Sequence, residues 1–249
     1  MPLVNMCKGC WCQMRMPIFI GGPLAIPFRV LGLRRSRMNP NLCNLCETMF
    51  RWVKRNKQIT LPLTVLCADL RGYTAMAQTV DHTAVARLLE VFYGHCGSAI
   101  WERDGLINKF MGDSVLALFN FPITCADHSR LAVHAALDLQ RRCTQAARSD
   151  PDFDELSRGA DQATHLGVGV GIHCGITAVG DIGESCRDYT AIGPVVNLAN
   201  RLQAAAQAGQ VLVTDAVYAS VADQFPQAQA RSLELKGFEK PVRAYSLNA

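Results

Sequence analysis

The chain has 249 residues, of which 49% are hydrophobic and 18% are charged, and this composition excludes a disordered chain. The length allows one large domain, or one domain with an appendage. The formal net charge of +4 hides an asymmetry: residues 1–58 hold ten Lys or Arg against one acid, Glu47, about +9, and the remainder is 15 minus 20, about −5. We therefore divide the chain into a basic segment over residues 1–60 and a main domain over residues 61–249.

The eleven cysteines do not suggest a disulfide framework. Six of them stand singly in periodic or strand-like segments, where a free thiol packs as a small hydrophobic group: Cys67, Cys96, Cys125, Cys143, Cys174 and Cys186. A reducing compartment, the cytoplasm, is therefore expected. The longest uncharged run, residues 16–28, is short and contains three prolines, so we expect neither a transmembrane segment nor a signal peptide.

The basic segment contains two C-x-x-C pairs, Cys7 with Cys10 and Cys43 with Cys46, and Cys12 follows the first pair. Such pairs can hold a tetrahedral zinc ion or an iron–sulfur cluster. The two pairs lie farther apart than in compact zinc ribbons, so metal binding and unliganded thiols are equal alternatives.

The same segment carries a basic cluster formed by Arg34, Arg35 and Arg37. This cluster is either a solvated face or a contact with an anionic surface, such as peripheral contact with a membrane, and the sequence leaves both open. Residues 48–57 are predicted to form a short basic helix that leads into the main domain.

The main domain begins with an apolar strand that ends at a carboxylate, Asp69, and is followed by a glycine-containing turn. The next stretch is a helix with a one-sided apolar face, which we expect to cover a sheet. The apolar positions of that face are Val85, Leu88, Leu89, Phe92 and Cys96. Residues 107–119, INKFMGDSVLALF, then form a hairpin whose turn holds Gly112 and Asp113 and whose first strand holds Lys109.

A second amphipathic helix is predicted over residues 127–148, followed by a polar loop over residues 149–164. Residues 165–174 form a strand whose glycines have the spacing G-x-G-x-x-x-G. This spacing is not that of a dinucleotide fingerprint, so we expect the glycines to allow close packing and His173 to be a packing residue.

The last part of the chain adds a strand over residues 187–192, a helix that starts at Gly193–Pro194, and three more strands. Those strands are expected over residues 210–214, 231–235 and 242–247. The core order of strand, helix, strand, strand, helix and strand predicts an α+β fold with a ferredoxin-like core and added C-terminal elements.

Two pairs of side chains suggest chemistry. Asp69 and Asp113 each follow a core strand, and two such carboxylates can converge into a site for hard cations. Asn197 and Arg201 are four residues apart and share one helix face near its start. An arginine fork beside a donor amide suits a phosphate that gains charge as it is attacked.

Over residues 63–247 these motifs resemble the catalytic domain of class III nucleotide cyclases, in particular adenylate cyclases that carry a threonine at the base-recognition position. The resemblance implies that Asp69 and Asp113 bind two Mg²⁺ or Mn²⁺ ions, with the carbonyl of Leu70 as a further ligand. It also implies that Asn197 and Arg201, in RDYTAIGPVVNLANRL, stabilise the transition state.

The resemblance further implies residues that bind the substrate. Lys109 would donate to a ring nitrogen of adenine, and the hydroxyl of Thr190 would accept from the exocyclic amine. Threonine is a weaker acceptor than the more common aspartate, so base discrimination is expected to be looser. Lys236 falls where relatives contact the terminal phosphates. The backbone amides of the turn after Asp69 would cradle the β- and γ-phosphates: Leu70, Arg71, Gly72, Tyr73 and Thr74.

The implied activity is the conversion of ATP to cyclic AMP and pyrophosphate at the interface of a homodimer, with no nucleic-acid partner. A guanylate cyclase shares the chemistry but usually carries glutamate and a small residue at the two base-recognition positions. A catalytically silent regulator would normally lack a metal aspartate or the arginine. A redox- or metal-sensing module built on the N-terminal cysteines is compatible with a cyclase as its output.

Overall fold

The computed structural model describes residues 4–36, 39–53, 59–149, 167–182 and 188–247. The N-terminal part contains α1 (Lys8–Met14), a 3-10 turn (Pro23–Ala25), α2 (Ile26–Val30) and α3 (Asn44–Val53). The helix predicted over residues 48–57 therefore begins four residues earlier, directly after Cys43, and residues 54–58 lie outside the described part. The second C-x-x-C pair thus lies at the start of a helix, a position that spacing alone did not indicate.

Eight strands form one sheet in the main domain. They are β1 (Ile59–Arg71), β2 (Leu106–Met111), β3 (Ser114–Phe119), β4 (Gly167–Ile182), β5 (Asp188–Ile192), β6 (Val211–Thr214), β7 (Ala230–Leu233) and β8 (Val242–Leu247). Their order is β2-β3-β1-β4-β6-β8-β7, and β5 pairs with β4 beside this path. All pairings are antiparallel except that of β4 with β6.

In the described part of the main domain, five helices accompany this sheet: α4 (Tyr73–Ala77), α5 (His82–Trp101), α6 (His128–Ser149), α7 (Pro194–Ala205) and α8 (Asp215–Tyr218). The first four strands with α5 and α6 give the order β1-α5-β2-β3-α6-β4 and the arrangement β2-β3-β1-β4. This is the predicted ferredoxin-like α+β core, and β5 to β8 are the predicted C-terminal additions.

The core lies mainly between the sheet and the helices α5 and α6. Four of the five predicted apolar positions of α5 are buried there, and Leu89 is half-buried at the margin. The opposite face of the sheet is covered by α7, whose buried Val195 and Ala199 pack on strand residues such as Val65 and Val179. Helices thus cover both faces and fix the strand ends that carry polar residues.

Strand β4 is longer than predicted, since it continues past Cys174 to Ile182, and it pairs with β1 from Gly167 to Val179. Its glycines do allow close packing, because a Cβ atom at Gly171 would clash with the backbone of α7. His173 is half-buried and hydrogen-bonds through Nδ1 to Thr214 Oγ1 at 2.9 Å, which confirms a packing role.

Several predictions fall on positions outside the described residues, namely Arg37, Cys186, Arg187 and the loop from residue 150 onward. Strand β5 is described from Asp188, one residue after its predicted start. In the described ranges, none of the helices combines the length and the apolar character that crossing a bilayer requires.

Candidate active site

Asp69 and Asp113 lie together at one end of the sheet. Asp69 is close to the end of β1, opposite Ser114 of β3 and Gly169 of β4. The amide of Leu70 donates to the carbonyl oxygen of Asp113 at 3.1 Å, so the hairpin turn is fastened to the strand that carries Asp69. The two carboxylates therefore lie at the same end of the sheet, as predicted from their positions after buried strands.

The electrostatics of this pair favour a bound cation. Burial raises the pKa of Asp69, the guanidinium of Arg71 opposes that rise, and the charge of Asp113 adds to it. Arg71 Nη1 lies 3.6 Å from Asp69 Oδ1. Two carboxylates and the carbonyl of Leu70 are oxygen ligands of the kind that Mg²⁺ prefers, and a divalent cation would relieve their mutual repulsion. The residues present therefore fit the metal ions that the sequence motifs imply.

The hairpin turn between β2 and β3 is held in position by contacts with α5. Gly112 has a φ of 62°, in the left-handed region that glycine adopts readily. The hydroxyl of Tyr93, on α5, donates to the carbonyl of Gly112 at 2.6 Å, and the Tyr93 ring stacks on Phe110 with ring centroids 4.0 Å apart. Helix α5 therefore positions the turn that carries Asp113, although nothing in the spacing of Tyr93 indicated this contact.

Arg71 has a side-chain role that the sequence analysis missed. Its guanidinium donates through Nη2 to the carbonyl of Gln203 on α7 and passes over Gly169, where a Cβ atom would clash with it. Its Nε is buried and has no hydrogen-bond partner among the described residues. Arg71 thus links β1, β4 and α7 beside Asp69, a link between segments that are distant in sequence.

The turn predicted to cradle phosphates is present after β1. Gly72 has a φ of 81°, and α4 starts at the next residue, Tyr73. The amide of Leu70 donates to the carbonyl of Asp113, and this bond joins the turn after β1 to the hairpin turn between β2 and β3.

Asn197 and Arg201 open onto a pocket of about 360 Å³. Helix α7 starts with Pro194 in its first turn and carries Asn197 and Arg201 on the side away from β4, where Asn197 is exposed. The pocket is lined by Pro194, Asn197, Asn200, Arg201, Lys236, Gly237 and Phe238. The structure therefore brings Lys236, from the connection between β7 and β8, together with the helix residues.

Thr190 lies beside the strand that carries Lys109. Its hydroxyl donates to Asn108 Oδ1 at 2.8 Å, which joins β5 to β2. Asn108 occupies an irregularity of β2, where the register shifts between Ile107 and Lys109. The strands that carry Lys109 and Thr190 are thus joined through Asn108, an additional residue whose only sequence signal was its position next to Lys109.

The acidic pair and the pocket are two separate places in one chain. Near its end α7 reaches Arg71 through Gln203, beside Asp69, whereas Asn197 lies six residues earlier, about 9 Å along the helix axis. Neither Asp69 nor Asp113 lines the pocket. Within the described residues of one chain, the acidic pair and the pocket are therefore separate groups.

A third group of side chains lies in the N-terminal part. Cys7, Cys10, Cys43 and Cys46 are buried, and their sulfur atoms all lie within 4.8 Å of one another. Hydrogen bonds from Cys46 and Cys7 lower the pKa of the Cys43 thiol, and the bond to Cys43 raises that of Cys46. We call these four residues the four-cysteine cluster.

Comparison with known proteins places most of the chain in one family. Residues 56–249 match the family model described as the adenylate and guanylate cyclase catalytic domain. An adenylate cyclase of Anabaena cylindrica is 30% identical over 198 residues, which cover 76% of this chain and 37% of that protein. Adenylate cyclase 1 of Rhizobium meliloti is 27% identical over 188 residues, with 74% and 27% covered. The chain thus spans roughly a third of the length of these relatives.

Solved structures show the same fold. The adenylyl cyclase CyaB from P. aeruginosa matches with a TM-score of 0.66 and 28% identity, covering 78% of this chain and 97% of that one. The guanylyl cyclase Cya2 matches with a TM-score of 0.65 and 26% identity, covering 76% and 92%.

Proposed function

The chain belongs to the family of adenylate and guanylate cyclase catalytic domains, and from that premise we propose that it is an adenylate cyclase. It would convert ATP to 3′,5′-cyclic AMP and pyrophosphate, a lyase reaction of cyclic-nucleotide signalling. The observation that carries the proposal is the pocket shared by Asn197, Arg201 and Lys236, because it gathers an amide, a guanidinium and an ammonium group around one space. Such donors suit a polyphosphate whose charge shifts during reaction.

Each group has a role in the proposed mechanism. Asp69, Asp113 and the carbonyl of Leu70 would hold two Mg²⁺ or Mn²⁺ ions, which when bound supply Lewis-acid activation of the 3′-hydroxyl and neutralise the phosphates. Arg201 would donate to the α-phosphate as the 3′-oxygen attacks the phosphorus and the bond to the pyrophosphate oxygen breaks. Asn197 would hold the ribose.

The outgoing pyrophosphate would be bound at two places. Lys236 would donate to the terminal phosphates from the pocket side, as its position among the lining residues supports. On the metal side, the amides of the turn from Arg71 to Thr74 would contact the β- and γ-phosphates.

The choice of ATP over GTP rests on Lys109 and Thr190. The hydroxyl proton of Thr190 is used in the bond to Asn108, so the oxygen presents its lone pairs as an acceptor for the amine of adenine. Guanine would present a carbonyl to that oxygen, and an unpaired buried polar group costs roughly 1–3 kcal/mol. A guanylate cyclase is the second candidate, since the similarity to Cya2 favours it.

We propose that the active protein is a head-to-tail homodimer with two equivalent sites. The support is the separation within one chain of the acidic pair from the pocket of Asn197 and Arg201. In such a dimer the metal ligands of one protomer would face the pocket of its partner.

The division at residue 60 is supported by the start of the family match at residue 56 and of β1 at Ile59. A cytoplasmic location agrees with the lack of disulfide bonds among the nine cysteines whose side chains the structure describes.

The test is product formation from ATP and from GTP, with Mg²⁺ or Mn²⁺, by the full chain. We expect cyclic AMP from ATP and much less cyclic GMP from GTP, and loss of activity in Asp113→Ala. Asp223→Ala is the matched control, because Asp223 is an exposed acid that forms a surface ion pair with Arg130 at 3.2 Å, away from Asp113.

Two results would contradict parts of the proposal. Comparable amounts of cyclic GMP would refute the adenine assignment and leave the cyclase chemistry standing. A folded dimer that binds ATP and forms no product under any of these conditions would favour a regulatory protein.

A further inference from the structure

The four-cysteine cluster lies outside the residues that match the catalytic-domain family, so the proposed reaction does not account for it. Its cysteines lie at the first turns of two helices, α1 and α3, and these two turns have the same local geometry. In each C-x-x-C pair the amide of the second cysteine donates to the sulfur of the first: Cys10 to Cys7 at 3.5 Å and Cys46 to Cys43 at 3.4 Å. The amide of Cys43 also donates to Cys7 Sγ, at 3.1 Å.

These amide contacts point to thiolates. Sulfur is a weak acceptor as a thiol and a stronger one when it carries a negative charge. Three backbone amides directed at two sulfur atoms would offset the charge of metal-bound thiolates, as groups around metal ligands commonly do. The basic composition of residues 1–58, about +9, adds a favourable long-range field for an anionic thiolate centre.

The distances between sulfur atoms suit one ion and exclude a disulfide. The sulfur atoms lie 3.3 Å apart in Cys10 and Cys46, 3.5 Å apart in Cys10 and Cys43, and 3.7 Å apart in Cys7 and Cys46. A tetrahedral zinc ion with Zn–S bonds of about 2.3 Å requires sulfur atoms about 3.8 Å apart. An iron–sulfur cluster with several iron atoms needs wider spacing between cysteines on different irons than the 4.8 Å limit found here.

The glycine between the first two cysteines is also explained. A Cβ atom at Gly9 would lie 3.0 Å from Cys46 Sγ and 2.9 Å from a methyl carbon of Leu42. The two turns therefore approach so closely that only glycine fits between them without movement. This close approach brings the two cysteine pairs together even though they are far apart in sequence.

We propose that Cys7, Cys10, Cys43 and Cys46 bind one structural Zn²⁺ ion, and that the zinc-bound segment clamps the turn between α5 and β2 of the catalytic domain. Because a closed set of four thiolates leaves no open coordination position, the ion would stabilise structure and take no part in catalysis. The inference is independent of which nucleotide the catalytic domain uses.

The proposed clamp consists of contacts between the N-terminal segment and the turn that joins α5 to β2. Lys8, inside the first C-x-x-C pair, lies 2.7 Å from Asp104 Oδ2. Asn39 Nδ2 donates to the carbonyl of Gly105 at 2.8 Å, and Asn41 Nδ2 donates to the carbonyl of Trp101 at 3.0 Å. The amide of Lys8 in turn donates to the carbonyl of Asn41 at 2.9 Å, which connects the docking residues to the cysteine turn.

The clamped turn leads directly into β2, the strand that holds Asn108 and Lys109. The segment also packs on the main domain through Ile123, which is buried with the cysteines in one apolar cluster. Loss of the ion would separate the two cysteine turns, remove Lys8 and Asn41 from their partners, and release the turn before β2.

The first experiment measures metal in the full chain, purified under reducing conditions from zinc-supplemented medium. We expect one zinc per chain in the wild type and in the control Cys125→Ser, and loss of zinc in Cys10→Ser and Cys43→Ser. Replacement of zinc by Co²⁺ should give the strong absorption bands of a tetrahedral cobalt–thiolate centre. The cobalt spectrum tests the wild-type site even if the serine variants do not fold.

Three outcomes would overturn the zinc site. One is a wild-type chain that holds neither zinc nor iron and gives no cobalt–thiolate spectrum. Another is iron together with inorganic sulfide, which would show a cluster. The third is full zinc content in Cys10→Ser and Cys43→Ser, which would place the metal elsewhere.

The second experiment tests the clamp by hydrogen exchange. Zinc removal should speed exchange of the amides of residues 101–106 by about tenfold or more and leave those of β6 unchanged. Asp104→Asn should speed the same amides while retaining zinc, and asparagine tolerates the positive φ of 58° at this position. Unchanged exchange at residues 101–106 in both cases would refute the clamp and leave the metal site standing.

Discussion

Asp69 is held where its charged form is disfavoured in the absence of metal, because burial and the charge of Asp113 raise its pKa more than Arg71 lowers it. Since the folded pKa lies above the unfolded value, the contribution of this group to stability is fully present below the unfolded pKa. It is lost as the pH rises through the folded pKa. At neutral pH the metal-free chain therefore carries a carboxylate that destabilises the fold.

We predict that Asp69→Asn unfolds at a higher temperature than wild type at neutral pH in buffer without added divalent metal. The same variant should lose about 100-fold or more of its activity with Mg²⁺ present. Thermal unfolding and cyclic AMP formation are the two measurements, and Asp223→Asn should change neither. A lower unfolding temperature for Asp69→Asn would show that the pairing with Arg71 outweighs burial.

The hydroxyl of Thr190 donates to Asn108 Oδ1 at 2.8 Å, and the carbonyl of Ala191, at 3.4 Å, is a poorer alternative acceptor. In Asn108→Ala the hydroxyl loses its shorter bond, so it can turn and donate to the carbonyl of guanine. We predict that the preference for ATP over GTP falls by about tenfold, within the range expected for one buried polar pair. The measurement is the ratio of kcat/KM for the two nucleotides, and Thr190→Ser, which keeps the hydroxyl, should retain the wild-type ratio. An unchanged ratio in Asn108→Ala would remove this residue from base recognition.

The sequence predicted the convergence of Asp69 and Asp113 because each follows a buried strand and neighbouring strand ends meet. It also predicted the shared face of Asn197 and Arg201, which depends on helical spacing alone. The roles of Arg71 and Asn108 could not be predicted, since their partners, Gln203 and Thr190, lie 132 and 82 residues away. These roles depend on the packing of whole elements.

At the scale of elements, the contact between β4 and α7 fixes the position of the pocket. Gly171 lies directly beneath the backbone of Ala199 and Gln203, and a Cβ atom there would clash with main-chain atoms that cannot rotate away. Any larger residue must displace the helix that carries Asn197 and Arg201.

We predict that Gly171→Ala lowers stability by about 1–3 kcal/mol, the usual cost of overpacking, and lowers kcat as well. Urea unfolding and turnover are the measurements. Gly94→Ala is the matched control, because a Cβ atom at Gly94 on α5 meets no atom within 4 Å and should leave both properties intact or slightly improve stability. A stable and fully active Gly171→Ala chain would mean that α7 can shift without disturbing the pocket.

Element boundaries were the least predictable part of the fold. The type and order of the core strands and helices followed from hydrophobic periodicity. The ends of β1 and β4 could not be predicted in this way. The thirteen residue pairs between the two strands extend beyond the apolar runs by which each strand was identified. The early start of α3 likewise could not be predicted, because the helix begins directly after Cys43 and includes Cys46.

At the scale of the whole molecule, the separation of the acidic pair from the pocket allows a complementation test with two inactive variants. We predict that Asp113→Ala and Arg201→Ala are each inactive alone and recover activity when mixed and allowed to exchange subunits. Random pairing makes about half of the dimers mixed, each with one intact site, so about one quarter of wild-type activity is expected. Mixing Asp113→Ala with Asp69→Ala, whose losses fall in the same partial site, is the control and should restore nothing. Equal recovery in both mixtures would refute a site shared between two protomers.

The central position of β1 in the sheet determines which strands should open first and last when the protein is heated. Residues 64–69 pair with β3 on one side and with β4 on the other, whereas β7 is exposed and pairs with β8 alone. Opening on mild heating starts where backbone bonds are fewest and reaches the centre last. Lys236 follows the edge strand and Asp69 lies on the central one. On mild heating, cyclic AMP formation should therefore be lost while Asp69 and most of the secondary structure are still in place.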